Sequence, residues 1–162
     1  MTDMENQTRP LHLMQDDKWD QRYLAMAKLV AGWSKDPSTG CGAVIVRPDR
    51  SLVSVGFNGF PRRLKDDPNH YHDRPTKLSR MAHSEANAIR HARERVAGYT
   101  VYSWPMLPCD RCANQLINYE IDRIVCTPPP PSQAERWADS FESTRAMCAD
   151  AGVILDIIEL RE

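Results

Sequence analysis

Gly42-Ala43-Val44-Ile45-Val46-Arg47-Pro48-Asp49-Arg50-Ser51-Leu52-Val53-Ser54-Val55-Gly56-Phe57 decides the architecture. Two apolar runs flank Pro48-Asp49-Arg50, whose turn chemistry folds them into an antiparallel hairpin. Upstream, Asp16 and Asp17 can cap a helix carrying Trp19, Tyr23, Met26, Ala27 and Val30 at helical spacing, and this face is expected to pack on a sheet. Downstream, helices and strands alternate. A helix runs from near His83 to about Val96 with Gly98 as its stop, and residues 99–102 read as strand. Pro108 opens a helix continued by Leu116 and Ile117, and residues 123–126 form another strand. Four prolines at 128–131 break the chain before a helix over 134–151, stopped by Gly152, and a last strand over 153–158. Parallel neighbours need crossover connections, so the fold class is α/β, a mixed sheet covered by helices. Residues 1–15 read as a loose tail, and 16–162 as a single domain. Residues 58–80 hold three prolines without a clear period and read as a substrate-side loop.

With 162 residues, 41% of them hydrophobic, the chain should bury roughly 70% of its unfolded surface and needs no metal for stability alone. Any metal site therefore requires a chemical reason. The 21 Lys and Arg against 22 Asp and Glu give a formal charge of −1, which argues against a protein that coats nucleic acid and favours a small substrate. No run approaches the roughly 20 apolar residues that span a bilayer, and the first ten residues lack a signal peptide's apolar stretch. A cytoplasmic protein without a membrane partner is expected. The cysteine count of five is odd, and Cys109-Asp110-Arg111-Cys112 favours metal or redox chemistry over a disulfide framework.

His83-Ser84-Glu85 followed by Pro108-Cys109-Asp110-Arg111-Cys112 is the H-x-E…P-C-x-x-C signature of zinc nucleobase deaminases. One imidazole and two thiolates offset much of a dication's charge in a tetrahedral site and leave the fourth position for water, the mark of a catalytic centre. Cys109 and Cys112 are three apart, on one face of a helix whose N-terminus favours thiolates. Glu85 lies two residues beyond His83, about 200° around a helix, so it points away from the ligand face unless the helix begins right there. Its expected work is to move protons from water to the ring nitrogen and then to the departing amine. Taken singly, the C-x-x-C also fits half of a structural zinc knuckle or a redox pair, and the histidine and glutamate are unremarkable. The joint pattern carries the reading. Cys41, Cys126 and Cys148 form no second C-x-x-C and are expected in the core.

From Trp19 to Leu155 the sequence resembles the deoxycytidylate (dCMP) deaminases of the cytidine-deaminase superfamily. Trp33-Ser34-Lys35-Asp36-Pro37-Ser38-Thr39 looks like the family's S-K-D-P segment, and Gly56-Phe57-Asn58-Gly59-Phe60-Pro61 looks like its G-Y-N-G-x-P segment. The resemblance implies a three-layer α/β/α fold with a roughly five-stranded sheet. It implies one Zn²⁺ per chain on His83, Cys109 and Cys112, with Glu85 as proton shuttle and hydrolysis of dCMP to dUMP, which feeds thymidylate synthesis. By the same resemblance Asn58 contacts the deoxynucleotide, and Ser34, Lys35 and Thr39 lie near its phosphate. Residues 61–80 hold six basic side chains against Asp66, Asp67 and Asp73, and Arg62, Arg74 and Lys77 are candidates for phosphate or effector contacts. The family also implies dCTP and dTTP as effectors and a homo-oligomer, often a hexamer. Ser84 stands where the family usually has Ala, and Trp104 and Pro105 lie in a stretch one residue longer than the family's. Other substrates (dCTP, a modified deoxycytidylate, cytidine, cytosine or guanine) and a non-catalytic zinc-stabilised module are the competing readings.

Overall fold

The computed structural model describes residues 2–162. Its elements, in chain order, are α1 (Asp3–Gln7), a 3-10 turn (Leu11–Leu13), α2 (Asp17–Ala31), β1 (Gly42–Val46), β2 (Leu52–Phe57), α3 (Pro68–His72), α4 (Arg74–Arg80), α5 (Ser84–His91), β3 (Thr100–Trp104), α6 (Asp110–Asn118), β4 (Arg123–Cys126), α7 (Pro131–Arg136), α8 (Ala138–Ala151) and β5 (Ile154–Ile157). The sheet runs β2-β1-β3-β4-β5. β1 is antiparallel to both β2 and β3, whereas β3, β4 and β5 are parallel and joined by helical crossovers. The sheet is thus mixed and five-stranded, as the hairpin and the alternation require.

Period-two alternation divides the sheet's side chains between two helical layers. Ala43, Ile45, Val101 and Ile124 pack with Ala88 and Ile89 of α5, Leu116 of α6 and Cys148 of α8. Val44, Val46, Tyr102 and Val125 pack with Tyr23, Leu24 and Ala27 of α2 on the opposite face. Two glycines set how closely the layers approach. A Cβ at Gly42 would lie 2.0 Å from the Ala27 carbonyl oxygen of α2, and one at Gly56 would lie 2.3 Å from backbone atoms of α5.

α2 starts where Asp16 accepts a hydrogen bond from the Trp19 N–H. Its buried face also carries Asp20, whose carboxylate accepts from Arg123 Nη1 and Nη2 and from the Tyr102 hydroxyl. Arg123 Nε donates in turn to Asp156 of β5. This charge network satisfies the buried groups that the apolar periodicity of α2 does not reveal.

Three local expectations are corrected. Met1 lies outside the described residues, and residues 2–15 are not a loose tail throughout: Thr2 and Glu5 close a capping box on α1, Leu13 is buried, and Arg9 pairs with Asp156 at 2.9 Å. The 58–80 segment contains α3 and α4, each with an aspartate cap, Asp67 and Asp73, and a proline in its first turn. The helix after His83 ends at His91 rather than near Val96, because the chain leaves it to bury Val96 in the core beside Ile89 and Ile121. Among the described residues no helix is long and apolar enough to cross a membrane.

Candidate active site

α5 and α6 open toward one another, and their caps bring the chemistry together. His83 is the N-cap of α5 with extended backbone, φ −75° and ψ 159°, and Cys109 is the N-cap of α6. The Cys109 sulfur accepts from the Cys112 N–H, as a thiolate at a helix N-terminus should. His83 Nδ1 lies 3.4 Å from both sulfurs. Nitrogen at about 2.05 Å and sulfur at about 2.3 Å from a tetrahedral zinc would stand about 3.6 Å apart, so the donor set fits such an ion. His83, Cys109 and Cys112 are the one group of three metal-ligating side chains that converges among the described residues.

The protons on this cluster follow from its contacts. Cys109 is pulled down to about 4, chiefly by its hydrogen bond from Cys112 and despite burial. Cys112 is pushed up, because it donates that bond and is itself buried. His83 is raised by its hydrogen bond with Cys109. A dication bound there would take the imidazole and both sulfurs, as thiolates, for its donors.

Glu85 reaches the same cavity. Because His83 is a cap and not a helical residue, the 200° separation does not apply, and the condition under which the two share a site is the one realised. The carboxylate is buried, with 6% of the residue exposed. Its Oε1 accepts from Ser103 Oγ at 2.8 Å and its Oε2 from Ser84 Oγ at 3.2 Å. Ser103 alternates with Tyr102 and so shares the α5 face of the sheet with Val101, which explains the contact. Its single hydroxyl proton also has Met106 O within 3.2 Å, but the shorter, charge-assisted bond to Glu85 is the stronger.

The cavity above these groups brings in some of the other expected residues and leaves out the rest. Thr39, Asn58, Arg74 and Lys77 line it. Asn58 is a strut as much as a contact: its Oδ1 accepts from the Cys41 N–H at 2.7 Å, and its Nδ2 donates to Thr39 O at 3.0 Å, tying residues 36–41 to the end of β2. Lys77 is neutralised by Asp36 at 2.8 Å, both side chains being largely buried. Ser34, Lys35 and Arg62 do not line the cavity. Ser34 Oγ is spent on Asn58 O, Lys35 pairs with Asp66 on the surface, and Arg62 faces a second cavity on the far side of α5. Cys126 and Cys148 are core residues, but Cys41 lines the active-site cavity, and burial pushes its thiol up to about 12.

Sequence reasoning missed the wall supplied by α7. Gln133 Nε2 donates to Thr39 Oγ1 at 3.2 Å, and Trp137 Nε1 donates to Gln133 Oε1 at 3.2 Å, so this wall is bonded across to the loop before β1. Arg136 lines the cavity beside them, and Trp104 contributes from the end of β3. No local pattern marks α7, which comes to the site only through tertiary packing.

A three-layer α/β domain holding three converging metal donors and a buried carboxylate defines a metal-assisted hydrolase. Residues 17–127 match the model of the cytidine and deoxycytidylate deaminase zinc-binding region, and the chain belongs to that family. It is 37% identical over 136 residues to an uncharacterised deaminase encoded in the luxG 3′ region of Aliivibrio fischeri, covering 84% of this chain and 90% of that one. It is 30% identical over 135 residues to the deoxycytidylate deaminase of Homo sapiens, covering 80% and 72%. The fold is like that of the dCMP deaminase of cyanophage S-TIM5, with a TM-score of 0.68 at 16% identity over 89% of this chain and all of that one. That phage enzyme has also been seen in complex with dCMP and dUMP, where the TM-score is 0.67 at 18% identity, over 89% of this chain and 99% of that one.

Proposed function

We propose that the protein is a zinc-dependent deaminase that hydrolyses dCMP to dUMP and ammonia, with one ion held by His83, Cys109 and Cys112. The observation that carries this is the buried Glu85 carboxylate beside an open three-donor site: a structural zinc site wants four protein ligands and has no use for a proton shuttle. Bound there, zinc supplies Lewis acidity that makes water a competent nucleophile near neutral pH. Glu85 accepts one proton from the attacking water at a carboxylate oxygen and delivers it to the ring nitrogen adjoining the amino-bearing carbon; it then takes the proton of the added hydroxyl group and passes it to the amine, which leaves as ammonia as the carbonyl forms. Ser84 and Ser103 hold the two carboxylate oxygens and so fix the direction in which they transfer protons. The buried Asn58, bonded to Thr39 O, and the α7 wall close the sides of the cavity around a single small substrate.

Ammonia release from dCMP, dCTP, deoxycytidine, cytosine and guanine tests the substrate, and dCMP is expected to be turned over fastest. Glu85→Gln should keep zinc content and fold while abolishing turnover; a variant as active as its parent removes the mechanism. The family reading also carries a cytoplasmic enzyme with residues 16–162 as its catalytic unit, a hexameric assembly, and control by dCTP and dTTP. Sedimentation analysis and rate measurements with each triphosphate check the last two.

A further inference from the structure

We propose that Arg136 of α7, with Arg74 of α4 facing the same cavity, binds the 5′-phosphate and makes the enzyme select a nucleotide over a nucleoside. The inference rests on the deaminase reading and names residues that the shared signature does not contain. Three cationic side chains line the cavity: Arg74, Lys77 and Arg136. They are not equivalent. The Lys77 ammonium is held by Asp36 at 2.8 Å and also donates to Ser38 Oγ, so its charge is already spent. Among the described residues neither Arg74 nor Arg136 pairs with a carboxylate. The two acids on the cavity wall are likewise committed, Asp36 to Lys77 and Glu85 to the serines at the buried end. Among the described arginine, lysine and carboxylate side chains of the cavity wall, the two arginines alone are left without an ion-pair or hydrogen-bond partner.

Burial orders the site along one direction. Glu85 and Ser84 are buried, whereas Arg74 and Arg136 are exposed. An uncharged pyrimidine loses little by entering the dry end, but a phosphate dianion keeps part of its hydration at the mouth, where guanidinium forks can meet it bidentately. The bonds from Trp137 to Gln133 and from Gln133 to Thr39 anchor α7 across the cavity, so Arg136 projects from a fixed support.

The test is kcat/KM for dCMP and for deoxycytidine in the zinc-loaded wild type, Arg136→Ala and Arg74→Ala. A charge-assisted contact to phosphate is worth about 1.5–3 kcal/mol, so each variant should lose roughly 10- to 100-fold on dCMP while deoxycytidine changes less than twofold. Arg136→Lys keeps the charge without the fork and should fall between. Circular dichroism and zinc content should match the wild type, since both arginines are exposed. A wild type that prefers dCMP together with an Arg136→Ala that keeps that preference overturns this assignment alone. A wild type that prefers deoxycytidine or a free base overturns the dCMP reading itself, and this assignment with it.

Discussion

Replacing Gly56 by alanine should damage chemistry from a position that touches no substrate. The new Cβ would lie 2.3 Å from Ala88 N, 2.3 Å from Ser84 O and 2.9 Å from Asn87 C. All three are backbone atoms of α5, so no side chain can swing aside. Ordinary contact begins at 3.4 Å, and moving from 2.3 Å to that distance requires α5 to retreat from β2 by about 1.1 Å. Overpacking of this kind costs about 1–3 kcal/mol. For a domain of this size that lowers Tm by about 2–4 °C per kcal/mol. The larger effect is on turnover, because α5 carries Glu85 and is capped by His83, and a misplacement of about 1 Å can cost about 100-fold. Urea midpoints from far-UV circular dichroism, alongside ammonia release from saturating dCMP, separate the two effects. Gly59→Ala is the control: a Cβ there meets nothing within 4 Å, so it should stay within about 0.5 kcal/mol of the parent. If Gly56→Ala keeps both the parent midpoint and the parent turnover, the contact between β2 and α5 does not set the site.

Two further expectations concern groups outside the reaction. Arg123→Met leaves the buried Asp20 carboxylate without its cation, while Asp156 keeps Arg9, and should lower stability by about 3–5 kcal/mol in urea titrations, with KM for dCMP at the parent value because none of Asp20, Arg123 and Asp156 lines the cavity. A parent-like urea midpoint would show the network to be dispensable. For Cys41, burial raises the thiol to about 12, so at pH 8 only about one molecule in 10⁴ carries the reactive thiolate. Iodoacetamide at pH 8 followed by mass spectrometry should leave Cys41 unmodified in the folded protein and label it after denaturation, with reactivity in the fold rising only as pH climbs toward 12. Rapid labelling of the native state contradicts this.

His83, Glu85, Cys109 and Cys112 were legible because the spacing within each pair of residues is short and the helix geometry is local. The hairpin and the parallel strands were legible for a similar reason, since period-two apolar runs and turn residues act over a few positions. The α3 and α4 helices did leave signals, Asp67-Pro68 and Asp73-Arg74-Pro75, which are a cap followed by proline in the first turn. They were obscured by the lack of an apolar period in helices so short. Ser34 and Lys35 stand outside the cavity on a different count. A basic or hydroxyl residue near a site in sequence is free to satisfy a neighbour instead, as Lys35 does with Asp66 and Ser34 with the Asn58 carbonyl. Ser103, Gln133 and Arg136 could not be read at all, because Ser103 and Gln133 acquire their meaning from partners far along the chain, and Arg136 from a cavity assembled by distant segments.

The α7 wall begins at Pro131, four residues beyond the 17–127 segment that matches the family. The three metal donors and Glu85 lie inside that segment and the α7 wall lies outside it. Mutational drift or recombination beyond residue 127 can reshape that wall while the metal donors and Glu85 stay untouched, and a chimera carrying another homologue's last fifth would inherit that homologue's wall.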